Sequence, residues 1–243
     1  MPASNKWSDP WVAQAFKDQH YARPYKDMMI AFNRMLGEFP SGKWLDIGCG
    51  SGELTKLLLA ASRDVSSVIG LDYNPENANI YLSNTKGKKT SFQIGDVSKP
   101  LEFESNSLDG IISGLCISYA ESFDETTGQW TDIAYKAAYA EIHRILKPDG
   151  LFVFSLNIPN PNFAKILTDS WREVVFGGQF LQLLKNGIAM VSFSNWLKDC
   201  AKTRRFHYLP IEEITNILSS SGFKKISYEL TYAKQAWVIK CQK

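Results

Sequence analysis

An α/β fold with a doubly wound, mostly parallel sheet is what this sequence predicts. Three observations carry that reading. From residue 43 onward, short apolar runs alternate with stretches of helical periodicity, the pattern of βαβ units. One run, Leu151–Leu156, is almost wholly apolar, as a strand buried on both faces requires. At Leu45–Leu54 an apolar strand passes into a glycine-rich turn and then a helix.

The elements follow in order. Residues 10–37 read as one or two helices interrupted at Pro24, with aromatic and apolar side chains for packing onto the body. Lys43–Gly48 is a strand, and Glu53–Ser62 is a helix with Leu54, Leu57 and Leu58 on one face. Ser67–Leu71 is a strand, and Pro75 opens a helix to about Asn84. Thr90–Ile94 and Leu108–Ser113 are two more strands. Gln129–Leu146 is a helix with Trp130, Ile133, Ala134, Ala137, Ala138, Ile142, Ile145 and Leu146 at helical spacing. Lys147-Pro148-Asp149-Gly150 stops it. After the strand Leu151–Leu156 and a region of changed pattern, Pro210–Ser221 is a helix with Ile211, Ile214, Ile217 and Leu218 inward. Phe223–Tyr232 and Ala236–Cys241 form a hairpin.

Composition bounds the function. The chain has 243 residues, 44% hydrophobic and 21% charged, which fits a single domain and excludes a wholly disordered chain. Within 1–243, residues 1–40 read as an N-terminal helical cover and 157–208 as a helical cap insertion. No run approaches the about 18 apolar residues of a membrane span, and the polar start MPASNKWSDP has no apolar h-region. A cytoplasmic protein without stable membrane insertion is expected. Cys49, Cys116, Cys200 and Cys241 form no CxxC pair and no Cys/His cluster, so neither a metal site nor a disulfide framework is indicated. A net charge of +2 is too mild to argue for a nucleic-acid partner. Oligomeric state has no signal in the sequence.

The glycine turn Asp46-Ile47-Gly48-Cys49-Gly50-Ser51-Gly52 lets the backbone bend sharply and lets a ligand approach closely. Its spacing to two further acids sharpens the reading. Asp72 closes the next strand and can accept both ribose hydroxyls of an adenosine. Asp96-Val97 follows the third strand, where a carboxylate could meet an adenine amino group. A dinucleotide fold would use GxGxxG to seat a pyrophosphate. Here GxGxG follows an acid, which suits a cationic amino-acid moiety and repels a pyrophosphate.

Together, DIGCGSGELT, LDYNPENA, GDV, LDGIISGLCISY and EIHRILKPDG resemble the class I S-adenosylmethionine-dependent methyltransferases, small-molecule branch, of the ubiquinone/menaquinone-biosynthesis type (methyltransferase type 11). The resemblance covers about residues 40–156 and, more loosely, 205–243. It implies a Rossmann-like, seven-stranded, mostly parallel sheet with the last strand antiparallel and a helical cap after the fifth strand. It implies S-adenosyl-L-methionine as cofactor and S-adenosyl-L-homocysteine as product. By position, Asp46, Gly48, Cys49, Gly50 and Gly52 would line the methionine end. Asp72 would hold the ribose, with Tyr73 and Asn74 flanking the adenosine and Asp96 and Val97 facing the adenine. Ser113, Gly114 and Leu115 would pass beneath the sulfonium. The N-terminal helix of this family commonly covers the cofactor, so Tyr21 could contact its methionyl portion and His20 or Tyr25 could face the acceptor.

Methyl transfer from a sulfonium needs alignment and exclusion of water above all, and a base only where the acceptor must lose a proton. Candidates are His20, Tyr119 and His207, and His143 reads as structural. Relatives often carry a histidine near Ser118, and this chain does not. Ser118 and Tyr119 then read as acceptor-pocket residues. No Asn/Asp-Pro-Pro-aromatic motif follows the fourth strand, which argues against adenine-N6 and glutamine acceptors.

The cap carries Phe163, Trp171, Phe176, Phe180, Met190, Phe193 and Trp196, enough to wall an apolar pocket. Trp171 and Phe193 are the acceptor-facing choices. Seven basic residues against three acidic ones give 157–208 a net charge of +4. The expected activity is methylation of a small, largely apolar metabolite. The alternative is a protein, RNA or membrane-associated lipid or quinone acceptor.

Overall fold

The computed structural model describes residues 6–8, 22–37, 40–86, 89–162, 165, 169 and 193–243. Its strands are β1 Gly42–Ile47, β2 Val65–Asp72, β3 Thr90–Ile94, β4 Leu108–Ser113, β5 Ser122–Asp124, β6 Gln129–Thr131, β7 Leu146–Asn157, β8 Lys224–Thr231 and β9 Ala236–Gln242. The helices are α1 Arg23–Leu36, α2 Glu53–Ala61, α3 Asn77–Asn84, α4 Ile133–Ile145, α5 over 193–202 and α6 Ile211–Ser220.

Seven strands form one sheet in the order β3-β2-β1-β4-β7-β9-β8. The pairs β1–β2, β1–β4, β2–β3 and β4–β7 are parallel, and β9 runs antiparallel to both neighbours. The chain builds outward from β1 to β3, then returns to lay β4 on the other side of β1. That reversal opens a crevice at the carboxyl ends of β1 and β4, where such sheets bind ligands.

Side-chain alternation along the strands divides the core in two. Leu45, Ile47, Ile111, Phe152 and Phe154 face α4 and α6, against Tyr139, Ile142, Ile214 and Leu218. Trp44, Ile112 and Val153 face α1 and α2, against Met28, Phe32, Leu54 and Leu58. Each fully buried side chain of this size contributes about 1.5–3 kcal/mol of transfer free energy. Both faces are covered, which is why the central strands read as unbroken apolar runs.

Besides shifts of one or two residues at element ends, such as the helix expected from Pro75 that starts at Asn77, three elements differ from the sequence reading. Gln129–Thr131 is not the start of a helix but strand β6, paired with β5 in a small hairpin. Trp130 packs its ring on Phe123 at 5.0 Å, and Ile133 is 67% exposed. The apolar spacing continued upstream of the helix by coincidence, with two β-formers belonging to the hairpin. The Pro148-Gly150 stop lies inside the long strand β7, where Asp149 takes a φ of 61° and the register to β4 shifts. Pro24 opens α1 rather than interrupting a longer helix. Residues 10–21, the remainder of that expected helix, lie outside the described residues.

Candidate cofactor and acceptor site

The glycine loop is set by its backbone. Gly48, Gly50 and Gly52 all have left-handed φ, at 69°, 48° and 83°, which costs glycine nothing and other residues about 1–2 kcal/mol. The N–H groups of Gly48 and Cys49 both donate to the Leu71 carbonyl, at 2.7 and 3.1 Å, so β2 holds the loop from below. A Cβ at Gly48 would stand 2.4 Å from the Cys116 thiol, and one at Gly52 would press on Tyr81 at 3.0 Å. A Cβ at Gly50 would meet nothing within 4 Å. Gly50 is thus the point where the backbone lies open to a ligand.

Acids surround that point. Asp72 at the end of β2 accepts the N–H of Gly50 at 2.8 Å and that of Asn74 at 2.9 Å. Burial nonetheless raises its carboxyl above the ordinary range. Asp46 is 1% exposed and accepts the Thr55 hydroxyl at 2.7 Å. Burial pushes its pKa up to about 7, with the Asp72 charge adding to the effect. Asp96 is half-buried and accepts the Ser98 N–H at 2.8 Å, and Val97 packs on the core. The Cys116 thiol feels all three carboxylates, and burial, its largest influence, raises its pKa. Two carboxyls, one buried and one half-buried, held above their ordinary range favour a ligand that brings positive charge and hydrogen-bond donors. They oppose a pyrophosphate.

Next to the acids lies an aromatic wall. Past β4, Leu115 takes a φ of 52° and its N–H donates to the Ser155 carbonyl at 3.2 Å and hydroxyl at 3.0 Å. A 3-10 turn, Ile117–Tyr119, follows. The Trp7 ring lies 4.5 Å from Tyr119, 5.3 Å from Phe193 and 6.0 Å from Trp196. The Trp7 carbonyl accepts the Asn74 side-chain amide at 3.0 Å. This one residue therefore spans the flank of the acidic cleft and the aromatic wall. Arg205 clamps the returning chain to the body: it donates to Glu121 at 2.6 Å and lies 4.7 Å over the Trp130 ring.

Comparison with known proteins bears on the same residues. Residues 45–154 match the model of a methyltransferase domain. Those residues carry a methyltransferase domain. Over 133 residues the domain is 29% identical to the biotin biosynthesis bifunctional protein BioHC of Saccharophagus degradans, covering 54% of this chain and 21% of that protein. The chain thus spans about a fifth of that curated relative's length. It is 24% identical over 204 residues to demethylmenaquinone methyltransferase of Bacillus cereus, covering 79% and 74% of the two chains. The fold is shared with an S-adenosylmethionine-dependent methyltransferase of Mesorhizobium loti, at a TM-score of 0.57, 17% identity and 88% and 96% coverage. It is shared also with a Haloferax volcanii chain solved in complex with the Trm112 methyltransferase activator, at a TM-score of 0.63, 17% identity and 97% and 95% coverage.

The methyltransferase domain brings most of the sequence-chosen residues to one edge of the sheet, in different ways. Cys49 contributes backbone, since its thiol lies beneath Gly70. Ser113 is fully buried and its hydroxyl donates to the Ile47 carbonyl at 2.9 Å, so its side chain couples two strands. Tyr73 is 43% exposed at the rim. Tyr25 on α1 is placed near Asp46, Glu53 and Tyr232; burial, ahead of those charges, raises its pKa. His207 sits apart from the acids, stacked on Tyr135 at 4.5 Å in a groove of about 1020 Å³ with Trp130, Asp132, Lys136 and Tyr208. Burial holds its pKa down to about 4, leaving it neutral at pH 7. His20, Tyr21 and Trp171, with Phe163, Phe176, Phe180 and Met190, lie outside the described residues. Trp7, Cys116, Asn157, Tyr208 and Tyr232 were not singled out from the sequence. Trp7 stands in the polar start of the expected cover, with no periodicity around it, and Tyr232 begins a hairpin turn with three successive left-handed residues and no glycine.

Proposed function

We propose that this chain transfers a methyl group from S-adenosylmethionine to a small, largely apolar metabolite. The observation that carries the reading is the open backbone at Gly50, flanked by the buried carboxyl of Asp46 and the half-buried carboxyl of Asp72 and bordered by the aromatic wall around Trp7 and Phe193. When bound, S-adenosylmethionine supplies a methyl group on a sulfonium leaving group, open to in-line displacement.

The chain's own residues bind and align. Asp72, already fixed by the Gly50 and Asn74 N–H groups, accepts the ribose hydroxyls. Asp46 and the backbone at Gly48, Cys49, Gly50 and Gly52 hold the cationic methionine end. Tyr73 and Asn74 flank the adenosine, and Asp96 and Val97 border the adenine. Gly114 and Leu115, with the buried Ser113 behind them, line the floor under the sulfonium. Tyr25, Ser118, Tyr119 and Phe193 face the acceptor. Trp7 from the expected cover and Phe193 and Trp196 from the expected cap border the pocket, and their rings exclude water. His207, uncharged at pH 7 and stacked on Tyr135, is a base candidate.

Incubation with methyl-labelled cofactor and separate metabolite, RNA and protein fractions tests the reading. Label in a low-molecular-weight, organic-extractable product supports it. Label confined to RNA or protein replaces it with the macromolecular alternative. No transfer to any fraction, with the cofactor bound, points to a cofactor-binding protein without catalysis.

A further inference from the structure

We propose that Tyr119, Asn157 and Tyr208 form a polar pole in the acceptor pocket that binds a hydroxyl group of the acceptor, whether alcohol, phenol or enol. The proposal rests on the methyltransferase reading above and names the chemistry its acceptor carries.

The argument is an accounting of protons and lone pairs. Asn157 ends β7 and is 2% exposed. Its Nδ2 donates to the Tyr119 hydroxyl at 3.3 Å, and the Tyr208 hydroxyl donates to the same oxygen at 3.4 Å. A phenolic oxygen has two lone pairs and one proton. With both lone pairs engaged, the Tyr119 proton is left to a third group. Asn157 Oδ1 is the complementary case: it is buried and has no hydrogen-bond partner among the described residues. Buried amide oxygens are ordinarily paired. The pole therefore offers one donor and one acceptor, held close together by a single amide plane. A hydroxyl satisfies both, because its oxygen accepts from Tyr119 and its proton goes to Asn157. A carbonyl or ether oxygen would satisfy Tyr119 alone, and an ammonium would satisfy Asn157 alone.

Position supports the same use. Asn157 lies three residues beyond Phe154, which pairs with Ser113 at the end of β4, so the pole stands on the crevice edge of the sheet. Trp7 covers the Tyr119 ring at 4.5 Å and reaches back through its carbonyl to Asn74. Tyr232 links the pole to the acidic end, being placed near both Tyr119 and Tyr25. Ser118, on the same 3-10 turn, has a buried hydroxyl that also lacks a partner among the described residues. Burial keeps Tyr119 protonated, with its pKa raised to about 12. The pole thus orients the hydroxyl and takes no proton from it.

The test titrates 4-nitrophenol and 4-nitrotoluene, two rings of similar size with and without the hydroxyl, into protein saturated with S-adenosylhomocysteine. The parent protein is expected to prefer 4-nitrophenol by about tenfold or more. Tyr119→Phe and Asn157→Leu should each bring 4-nitrophenol down to the level of 4-nitrotoluene, with S-adenosylhomocysteine binding unchanged. Tyr208→Phe, which frees one lone pair of Tyr119, should weaken the preference in part. Tyr119→Phe keeps the ring, so it decides the matter even if Asn157→Leu folds poorly. A parent without preference for 4-nitrophenol, or a Tyr119→Phe variant that keeps it, overturns the proposal. Failure of S-adenosylhomocysteine to bind the parent is a separate result, which strikes the methyltransferase reading itself and this proposal with it.

Discussion

The carboxylate of Asp72 accepts the backbone N–H of Gly50 at 2.8 Å. The acid at the end of β2 is thereby tied to the one loop glycine whose missing side chain faces open space. On the proposed reading, ribose recognition and backbone approach are one structure, and damage to either should be felt in cofactor binding.

Asp72→Ala is expected to weaken S-adenosylhomocysteine binding by about 1–3 kcal/mol, the value of hydrogen bonds to a charged acceptor. Calorimetric titration of variant and parent measures it. Unchanged affinity would mean that the adenosine is held elsewhere.

Gly50 and Gly48 should respond differently to substitution. Gly50→Val puts its side chain where nothing stands within 4 Å, at a backbone strain of about 1–2 kcal/mol. It should still fold while losing the cofactor product. Gly48→Ala drives a Cβ to 2.4 Å from the Cys116 thiol, so its main effect should be a lower melting temperature. Thermal melts with and without S-adenosylhomocysteine separate the two. Equal ligand protection of Gly50→Val and parent would contradict the placement.

Asp46 predicts a pH dependence. Its folded carboxyl titrates near 7 against an ordinary 3.8. Between those values the folded protein keeps a proton that the unfolded chain gives up, so this group's contribution to stability falls as pH rises from about 4 to 7. His207, held down to about 4, works in the opposite direction up to its ordinary 6.5. The comparison is therefore Asp46→Asn against parent. A ligand ammonium group beside Asp46 favours the ionised carboxylate, so S-adenosylhomocysteine affinity should rise with pH through 7 in the parent and much less in the variant. Titrations in buffers of different ionisation enthalpy should show proton release on binding to the parent, and a pH-independent affinity would remove Asp46 from the site.

Arg205 and Glu121 should act as a coupled pair. Their side chains are 4% and 21% exposed, and breaking such a pair from one side costs about 3–5 kcal/mol because the other charge is left behind. Chemical denaturation of Arg205→Ala, Glu121→Ala and the double variant should show the double costing far less than the two singles added. Additive losses would show that the two residues do not act together.

Much of this architecture was legible because it is written in local pattern. Buried parallel strands need apolar residues on both faces, so Leu45–Ile47 and Leu151–Leu156 announce themselves. The glycine loop and the strand-end acids are also local, since Gly48, Gly50 and Gly52 need positive φ and Asp72 must end β2. The aromatic wall was only half legible. Phe193 showed through its helical spacing, but Trp7 reaches Tyr119 across 112 positions of chain, a contact that no periodicity announces. Asn157 and Tyr208 stayed hidden for the same reason, because their meaning lies in which lone pairs are already taken. Gln129–Thr131 misled because a two-strand hairpin happened to continue the spacing of the helix behind it.

Calorimetric titration of the parent protein with S-adenosylmethionine, S-adenosylhomocysteine and NAD tests the central claim most directly. The account expects both sulfur ligands to bind at one site with dissociation constants in the micromolar range, about −8 kcal/mol, to raise the melting temperature through linkage, and NAD not to compete. Binding of NAD with no binding of either sulfur ligand would contradict it.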